Sequence, residues 1–278
     1  MDLLHAILVA ILQGATELFP VSSLGHAVVL PALFNWQLDQ KSDAFLPFLV
    51  LLHTGTAAAL FAYFWRDWLA IIRGVIGLAT PHEVREARRV FLLVVIATIP
   101  AVILGFVFNK FFKDLFASPI LVAGFLVLNG LMLLVGERVR GTGSRALATL
   151  TPMDALIIGC WQCGALFPGI SRSGATIMGG VLRGVDHEGA AHFSFLIALP
   201  IIVGATVLEV PHLLSHQVAP GVFGTAAIAA VVAGVVAYAS TWFLMRYFAN
   251  HDRWGLDPFG YYCVAFGLLA AGWLGIFA

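Results

Sequence analysis

Several stretches of this chain run for 20 residues or more without a charged side chain, among them 44–65, 90–109, 115–136, 189–208 and 258–278. As a helix, 20 residues span about 30 Å, the thickness of a bilayer's hydrocarbon core. Composition agrees with that reading. Only 11% of the 278 residues are charged, against about 25% in an ordinary soluble domain, and mean hydropathy is +0.95. So few charges cannot cover the surface of a soluble globule of this size. The expected fold class is all-α, a polytopic membrane protein forming a single membrane domain over 1–278.

The 15 Lys and Arg balance the 15 Asp and Glu. A chain without net positive charge lacks the basic face that nucleic acid requires, so no nucleic-acid partner is expected. Met1-Asp2-Leu3-Leu4-His5 lacks the basic start of a signal peptide, so no cleaved segment is expected there. Cys160, Cys163 and Cys263 are too few for a disulfide framework. Cys160-Trp-Gln-Cys163 has the spacing of a metal or redox pair. Without a second ligand pair, small apolar residues packing between helices is the better reading.

Six segments read as full spans: about 44–64, 90–108, 117–136, 190–210, 222–246 and 258–278. Two further apolar regions, 3–34 and 155–182, are interrupted. Leu18-Phe19-Pro20-Val21-Ser22-Ser23-Leu24-Gly25 breaks the first, and Leu166-Phe167-Pro168-Gly169-Ile170-Ser171-Arg172-Ser173-Gly174 breaks the second. Proline followed by serines and glycines frees backbone groups from a helix, and a membrane tolerates this only where protein or a wet cavity satisfies them. Both regions are expected to be re-entrant helical hairpins with the breaks at their tips.

The breaks also resemble each other, and so do Ala44-Phe-Leu-Pro-Phe-Leu and Ala191-His-Phe-Ser-Phe-Leu. Two repeats follow, about 1–138 and 150–278, each one hairpin plus three spans. Three crossings is an odd number, so the second repeat is expected to be inverted. Basic residues orient the whole. With the loop after the span 44–64, which contains Arg66, Arg73, Arg85, Arg88 and Arg89, placed in the cytoplasm, Arg138, Arg140, Arg145, Arg183, Arg246 and Arg253 fall on the same side. Lys41, Lys110 and Lys113 fall outside, and Arg172 stays within the membrane. The tips then meet near mid-depth, and both termini are extracytoplasmic.

Charge within a bilayer is costly, so ionisable residues there are functional candidates. Glu17 lies one helical turn after Gln13 on the same face. His26 follows the first break and Arg172 lies in the second. Ser22, Ser23, Ser171 and Ser173 surround them. The second break has the parts of an anion cradle: serine hydroxyls, amides at the start of a helix after Gly174, and a planar guanidinium. Each residue also has a plainer use. Glu17 can hydrogen-bond to a facing helix, Gln13 and the serines can satisfy broken backbone, Arg172 can pair with Glu17 as a strut, and His26 alone is weak evidence. His53 and His192 read as packing or hydrogen-bonded residues. The joint pattern in two related breaks favours function.

Gln13-x-x-x-Glu17 followed by Phe19-Pro20-Val21-Ser22-Ser23-x-Gly25-His26 resembles the first signature of the bacitracin-resistance-type undecaprenyl-diphosphate phosphatases. Pro168-Gly169-x-Ser171-Arg172-Ser173-Gly174-Ala175-Thr176 resembles the second, and Phe193-Ser194-Phe195-Leu196 with Pro200 continues the match. The resemblance covers the chain end to end. It implies a multi-pass enzyme of the bacterial inner membrane that hydrolyses undecaprenyl diphosphate to the monophosphate, recycling the peptidoglycan carrier lipid and conferring bacitracin resistance. It implies Glu17, Ser23, His26 and Arg172 as the reaction centre, with Gln13, Ser171 and Ser173 binding substrate. The sequence departs from the family pattern at Leu24, Ile170 and His192, which stand where Thr or Ser, Thr, and Glu are usual.

Arg172 and the following helix start would bind the diphosphate. Ser23 or His26 would attack or orient water, and Glu17 would act as base, activate the nucleophile, or hold a divalent cation such as magnesium or calcium. Partners implied are the polyprenyl diphosphate and membrane lipid; oligomeric state is open, a homodimer included. The competing reading is a transporter or flippase of a lipid phosphate or anion, since inverted repeats with broken helices also suit alternating access.

Overall fold

The computed structural model describes residues 3–34, 36, 45–108, 111–112, 115, 118–141, 145–215 and 222–277. Lys41, Lys110, Lys113, residues 216–221 and Ala278 lie outside the described residues. Among the described residues the chain is all-helical, with eleven α-helices and two short 3-10 turns.

The first helix, α1 (Leu3–Thr16), buries Ala6, Val9, Ala10, Gln13 and Gly14, one stripe at helical spacing. Pro20 keeps this helix from running on past Thr16. After the break comes α2 (Ser23–Leu33), whose N-cap is Ser22. The expected spans appear as α3 (Phe45–Tyr63), α5 (Pro81–Val107), α6 (Pro119–Val139), α9 (His187–Ser215), α10 (Val222–Asn250) and α11 (Asp257–Phe277). Between them α7 (Pro152–Gln162) and α8 (Arg172–Leu182) flank the second break. Five of these helices are long and apolar enough to cross a membrane, and α3 makes a sixth together with α4 (Trp65–Val75), from which it is bent by 78°.

Two expectations are corrected here. The segment holding Arg66 to Arg89 is mostly helical, not a loop. It contains α4, and α5 begins at Pro81, nine residues before the uncharged run (90 − 81 = 9). The reason is local. Thr80 and Glu83 form a capping box with Pro81 at the first helical position, so the polar segment is already helical before the membrane begins. The other correction is that the helix in the second break starts at Arg172 rather than after Gly174, because Ser171 caps it and takes the Gly174 amide.

Packing is by small residues. Gly55 of α3 and Gly234 of α10 face each other so closely that a Cβ on Gly55 would strike the Ala230 carbonyl. Gly130 of α6 meets the Gly260 carbonyl of α11 in the same way, at 2.6 Å from an added Cβ. Lipid tails are as apolar as leucine, so helices associate here through such close backbone approach. α3 packs on α9 and α10, α6 on α11, α1 on α10, and α7 on α5. The outward faces carry Phe106, Leu131, Val235, Leu269 and Ile276, all exposed, as a lipid-facing surface should.

Toward one end of the bundle three arginines are held on buried carboxylates. Asp154 holds Arg183 at 2.7 Å and Arg145 at 2.8 Å. Glu137 holds Arg140 at 3.2 Å and His187 at 2.5 Å and accepts the Leu256 amide at 2.9 Å. Arg89, at the start of α5, donates to the Leu150 carbonyl. These ties draw one end of α5, α6, α7, α8, α9 and α11 together.

Candidate active site

The two breaks touch. Each frees backbone groups that no helix can satisfy, and the first break passes carbonyls of its own to serines of the second. Ser173 Oγ donates to the Phe19 carbonyl at 3.0 Å, and Ser171 Oγ lies 3.3 Å from the same oxygen. Asn129, buried on α6, ties the two from behind. Its Nδ2 donates to the Pro20 carbonyl at 2.9 Å, and its Oδ1 accepts the Ser171 amide at 3.0 Å. The backbone reverses at Ser22 with φ 68° and at Gly169 with φ 107°.

Glu17 stands at the meeting point. Its amide still bonds the Gln13 carbonyl at 2.9 Å, closing the last turn of α1 and placing Gln13 Nε2 2.9 Å from Glu17 Oε2. The same carboxylate oxygen accepts from Ser23 Oγ at 2.5 Å and lies 3.1 Å from His53 Nε2. The other oxygen, Oε1, faces Arg172 Nη2 at 3.0 Å. Arg172 Nη1 reaches the Ser194 carbonyl at 3.4 Å, a long bond. Glu17 is only 8% exposed, so a carboxylate here needs these partners.

A cavity of about 230 Å³ opens onto this group, lined by Glu17, Ser22, Ser23, His53, Ser171 and Arg172 on its polar side. Leu49, Leu166 and Ile201 are among the apolar residues opposite. Leu24 and Ile170, two of the departures from the family pattern, also line it and make its wall more apolar. The third departure, His192, lies elsewhere. It stacks on Phe64 and sits 3.4 Å from Asp67, beside a second cavity between α4 and α5.

Of the seven residues singled out in the sequence, Gln13, Glu17, Ser23, Arg172, Ser171 and Ser173 form this cluster. His26 does not touch it. Its Nδ1 lies 2.7 Å from the Ser22 carbonyl and its Nε2 2.7 Å from Tyr262 Oη, with the ring stacked on Phe266 of α11. Three residues of the site lie outside both family signatures: His53, Asn129 and Gln162. Gln162 lines the cavity, donates Nε2 to the Ala97 carbonyl at 3.1 Å, and leaves its buried Oε1 without a partner among the described residues. A polar side chain inside an otherwise apolar span was the one signal that could have found them.

Among the described residues, no three His, Cys, Asp or Glu side chains are arranged to hold a metal ion. Both Glu17 oxygens also already face a basic side chain, so the cluster does not fit a protein-built cation cage. Cys160 is exposed and Cys163 half-buried, its Sγ donating to the Gly159 carbonyl at 3.4 Å.

Comparison with known proteins bears on the whole chain. The family model described as bacitracin resistance protein BacA matches residues 6–269. An undecaprenyl-diphosphatase of Granulibacter bethesdensis is 62% identical, the alignment covering 99% of this chain and 97% of that one. Undecaprenyl-diphosphatases of Acidiphilium cryptum and Gluconacetobacter diazotrophicus are 58% and 54% identical, over 96% and 97% of this chain and 96% of each relative.

Proposed function

This chain belongs to the bacitracin resistance protein BacA family, and from that membership we infer that it is a multi-pass membrane hydrolase of undecaprenyl diphosphate. The products are undecaprenyl phosphate and phosphate, and the reaction returns carrier lipid to cell-wall synthesis. The observation that supports a site for this chemistry best is the 2.5 Å bond from Ser23 Oγ to Glu17 Oε2 at a cavity that also presents Arg172. A hydroxyl, a base within hydrogen-bond reach and a guanidinium are the parts that phosphoryl transfer needs.

In this reading Arg172 turns from Glu17 to the diphosphate, bridging two of its oxygens. Ser23 Oγ attacks the terminal phosphorus while its proton passes to Glu17. The bridging P–O bond breaks, undecaprenyl phosphate leaves, and water then frees the phosphate from Ser23. Ser171 and Ser173 hold the second break against Phe19 and so set the height of Arg172. Gln13 holds Glu17. His26 is disfavoured as the attacking group, because both ring nitrogens are engaged away from the cavity, and it serves by bracing Ser22. A divalent cation, if used, would arrive on the diphosphate and neutralise its charge there. The cavity falls below the roughly 300–1,000 Å³ of sites that enclose a drug-sized ligand, so it suits the headgroup and leaves the prenyl tail to the bilayer. Transport is not favoured: moving a lipid phosphate needs Arg172 but has no use for a hydroxyl bonded to a carboxylate.

The same proposal takes the fold as two inverted repeats with re-entrant hairpins. What supports it is the exchange of partners, α1 on α10 and α7 on α5, around the self-matched pairs α3–α9 and α6–α11. Cysteine labelling from the two membrane sides tests it: the 66–89 segment should react only from the cytoplasm and 209–221 only from outside. Phosphate release by purified protein in detergent, with and without chelator and with alanine at Glu17, Ser23, His26 or Arg172, tests the chemistry. Full activity of the Ser23 or Arg172 variant would overturn the site.

A further inference from the structure

His53, on α3, belongs to neither signature, yet it meets the carboxylate that both signatures share. Its Nδ1 lies 2.7 Å from the Leu49 carbonyl one turn earlier. A carbonyl only accepts, so Nδ1 carries a proton. Its Nε2 lies 3.1 Å from Glu17 Oε2, which is also an acceptor. With Glu17 ionised against Arg172, a bare nitrogen there would set lone pair against lone pair, so Nε2 carries a proton too and the ring is an imidazolium. Glu17 is thus held between two cations on different helices, His53 on α3 and Arg172 at the start of α8.

We propose that His53 is a positioning residue for the hydrolysis, its Nε2–H bond fixing the Glu17 oxygen that receives the Ser23 proton. The proposal rests on the reading of Glu17 as proton acceptor and Ser23 as the attacking hydroxyl. Its physical basis is a division of labour. Glu17 lies just past the end of α1, and a glutamate's terminal torsion is loose. Arg172 holds Oε1 only until it turns to the diphosphate. From that moment His53 and Gln13 are what keep Oε2 on Ser23, and a misplacement of about 1 Å in such a pair is worth roughly 10²-fold in rate.

The helix that carries His53 is well anchored. Thr54 bonds Thr206 of α9 at 3.0 Å, and Gly55 is pressed on the Ala230 carbonyl of α10. His53 Nε2 faces Glu17 at 3.1 Å, and Arg172 stands on the other oxygen of the same carboxylate at 3.0 Å.

The test uses the full chain in detergent, with phosphate release measured across a range of undecaprenyl diphosphate concentrations. Wild type is compared with His53→Leu, His53→Gln and Glu17→Gln. Glutamine places its carboxamide nitrogen where the imidazole Nε2 stands, so it donates to Glu17 without a ring. His53→Leu should lose roughly 10²-fold in kcat, with KM changed by less than about threefold, because the hydrogen bond it removes runs to the base rather than to substrate. His53→Gln should recover most of kcat. Wild-type kcat in the leucine variant, a loss confined to KM, or equal losses in leucine and glutamine would each overturn the proposal. Since glutamine keeps the polar bond, equal loss cannot be laid to an unmet buried carboxylate. Glu17→Gln separates the two failures: if it turns over like wild type, the reading of Glu17 as base falls; if it is inactive while His53→Leu is normal, only the role of His53 falls.

Discussion

The two breaks solve one problem with different means. Each ends on a serine that caps the next helix, Ser22 taking the Gly25 amide at 3.2 Å and Ser171 the Gly174 amide at 3.1 Å. The second has one more residue between proline and serine: Gly169-Ile170 stands where the first has only Val21. With that extra residue the left-handed turn falls on Gly169, at φ 107°. Without it the turn falls on the capping serine itself, at φ 68°. The residue after the cap then differs completely. It is Ser23 in the first break and Arg172 in the second, and both reach Glu17. The two breaks share a helix start, while the chemistry mounted on it does not repeat.

The sharpest way to break this comparison is at Arg172. Arg172→Lys keeps the charge but loses the planar fork, so it should cost about 3–4 kcal/mol of transition-state stabilisation, or 10²–10³-fold in kcat. Steady-state phosphate release checks it, and wild-type turnover would reduce Arg172 to a generic charge. Glu17→Gln should follow with a loss of roughly 10²-fold, the scale of a missing general base. Retained turnover there would leave Ser23 and Arg172 meeting on a purely structural acid.

Stability distinguishes the turns themselves. Gly169→Ala puts a side chain at a left-handed φ, and its Cβ would lie 2.5 Å from the Val122 carbonyl. Thermal unfolding in detergent should show a loss of about 1–3 kcal/mol, the usual cost of such strain, or more. Ser22→Gly should show the smallest effect. Glycine relieves the strain at φ 68° but removes the cap, and replacing a capping serine by glycine costs only a few tenths of a kcal/mol. Should Ser22→Gly destabilise as much as Gly169→Ala, the idea that the first turn carries its strain on the cap would fail.

Much of the site was legible in the sequence because its makers are local. Pro20 and Pro168 stop helices, Ser22 and Ser171 start them, and Glu17 and Arg172 are costly charges in apolar surroundings. His53 was read as a packing or hydrogen-bonded residue because a lone histidine on a span carries no partner in its own neighbourhood. Its partner is 36 residues away (53 − 17 = 36), across a helix packing. Asn129 joins the breaks from α6 for the same reason. His26, placed at the centre by its motif, faces Tyr262 and Phe266 because α2 lies against α11.

What the sequence by itself determined is therefore the long apolar spans, the two breaks, and the charges at those breaks that must be sheltered. Those follow from hydropathy over 20 residues and from capping and proline chemistry over four, and neither needs a neighbour. Tertiary structure decided which faces meet. Close approach at Gly55, Gly130 and Gly234 sets the helix pairs, and the pairs choose which polar group each freed backbone amide or carboxylate receives. In a bilayer, away from a wet cavity, no water can stand in for a missing partner. The packing that gave Glu17 both Arg172 and His53 made the site.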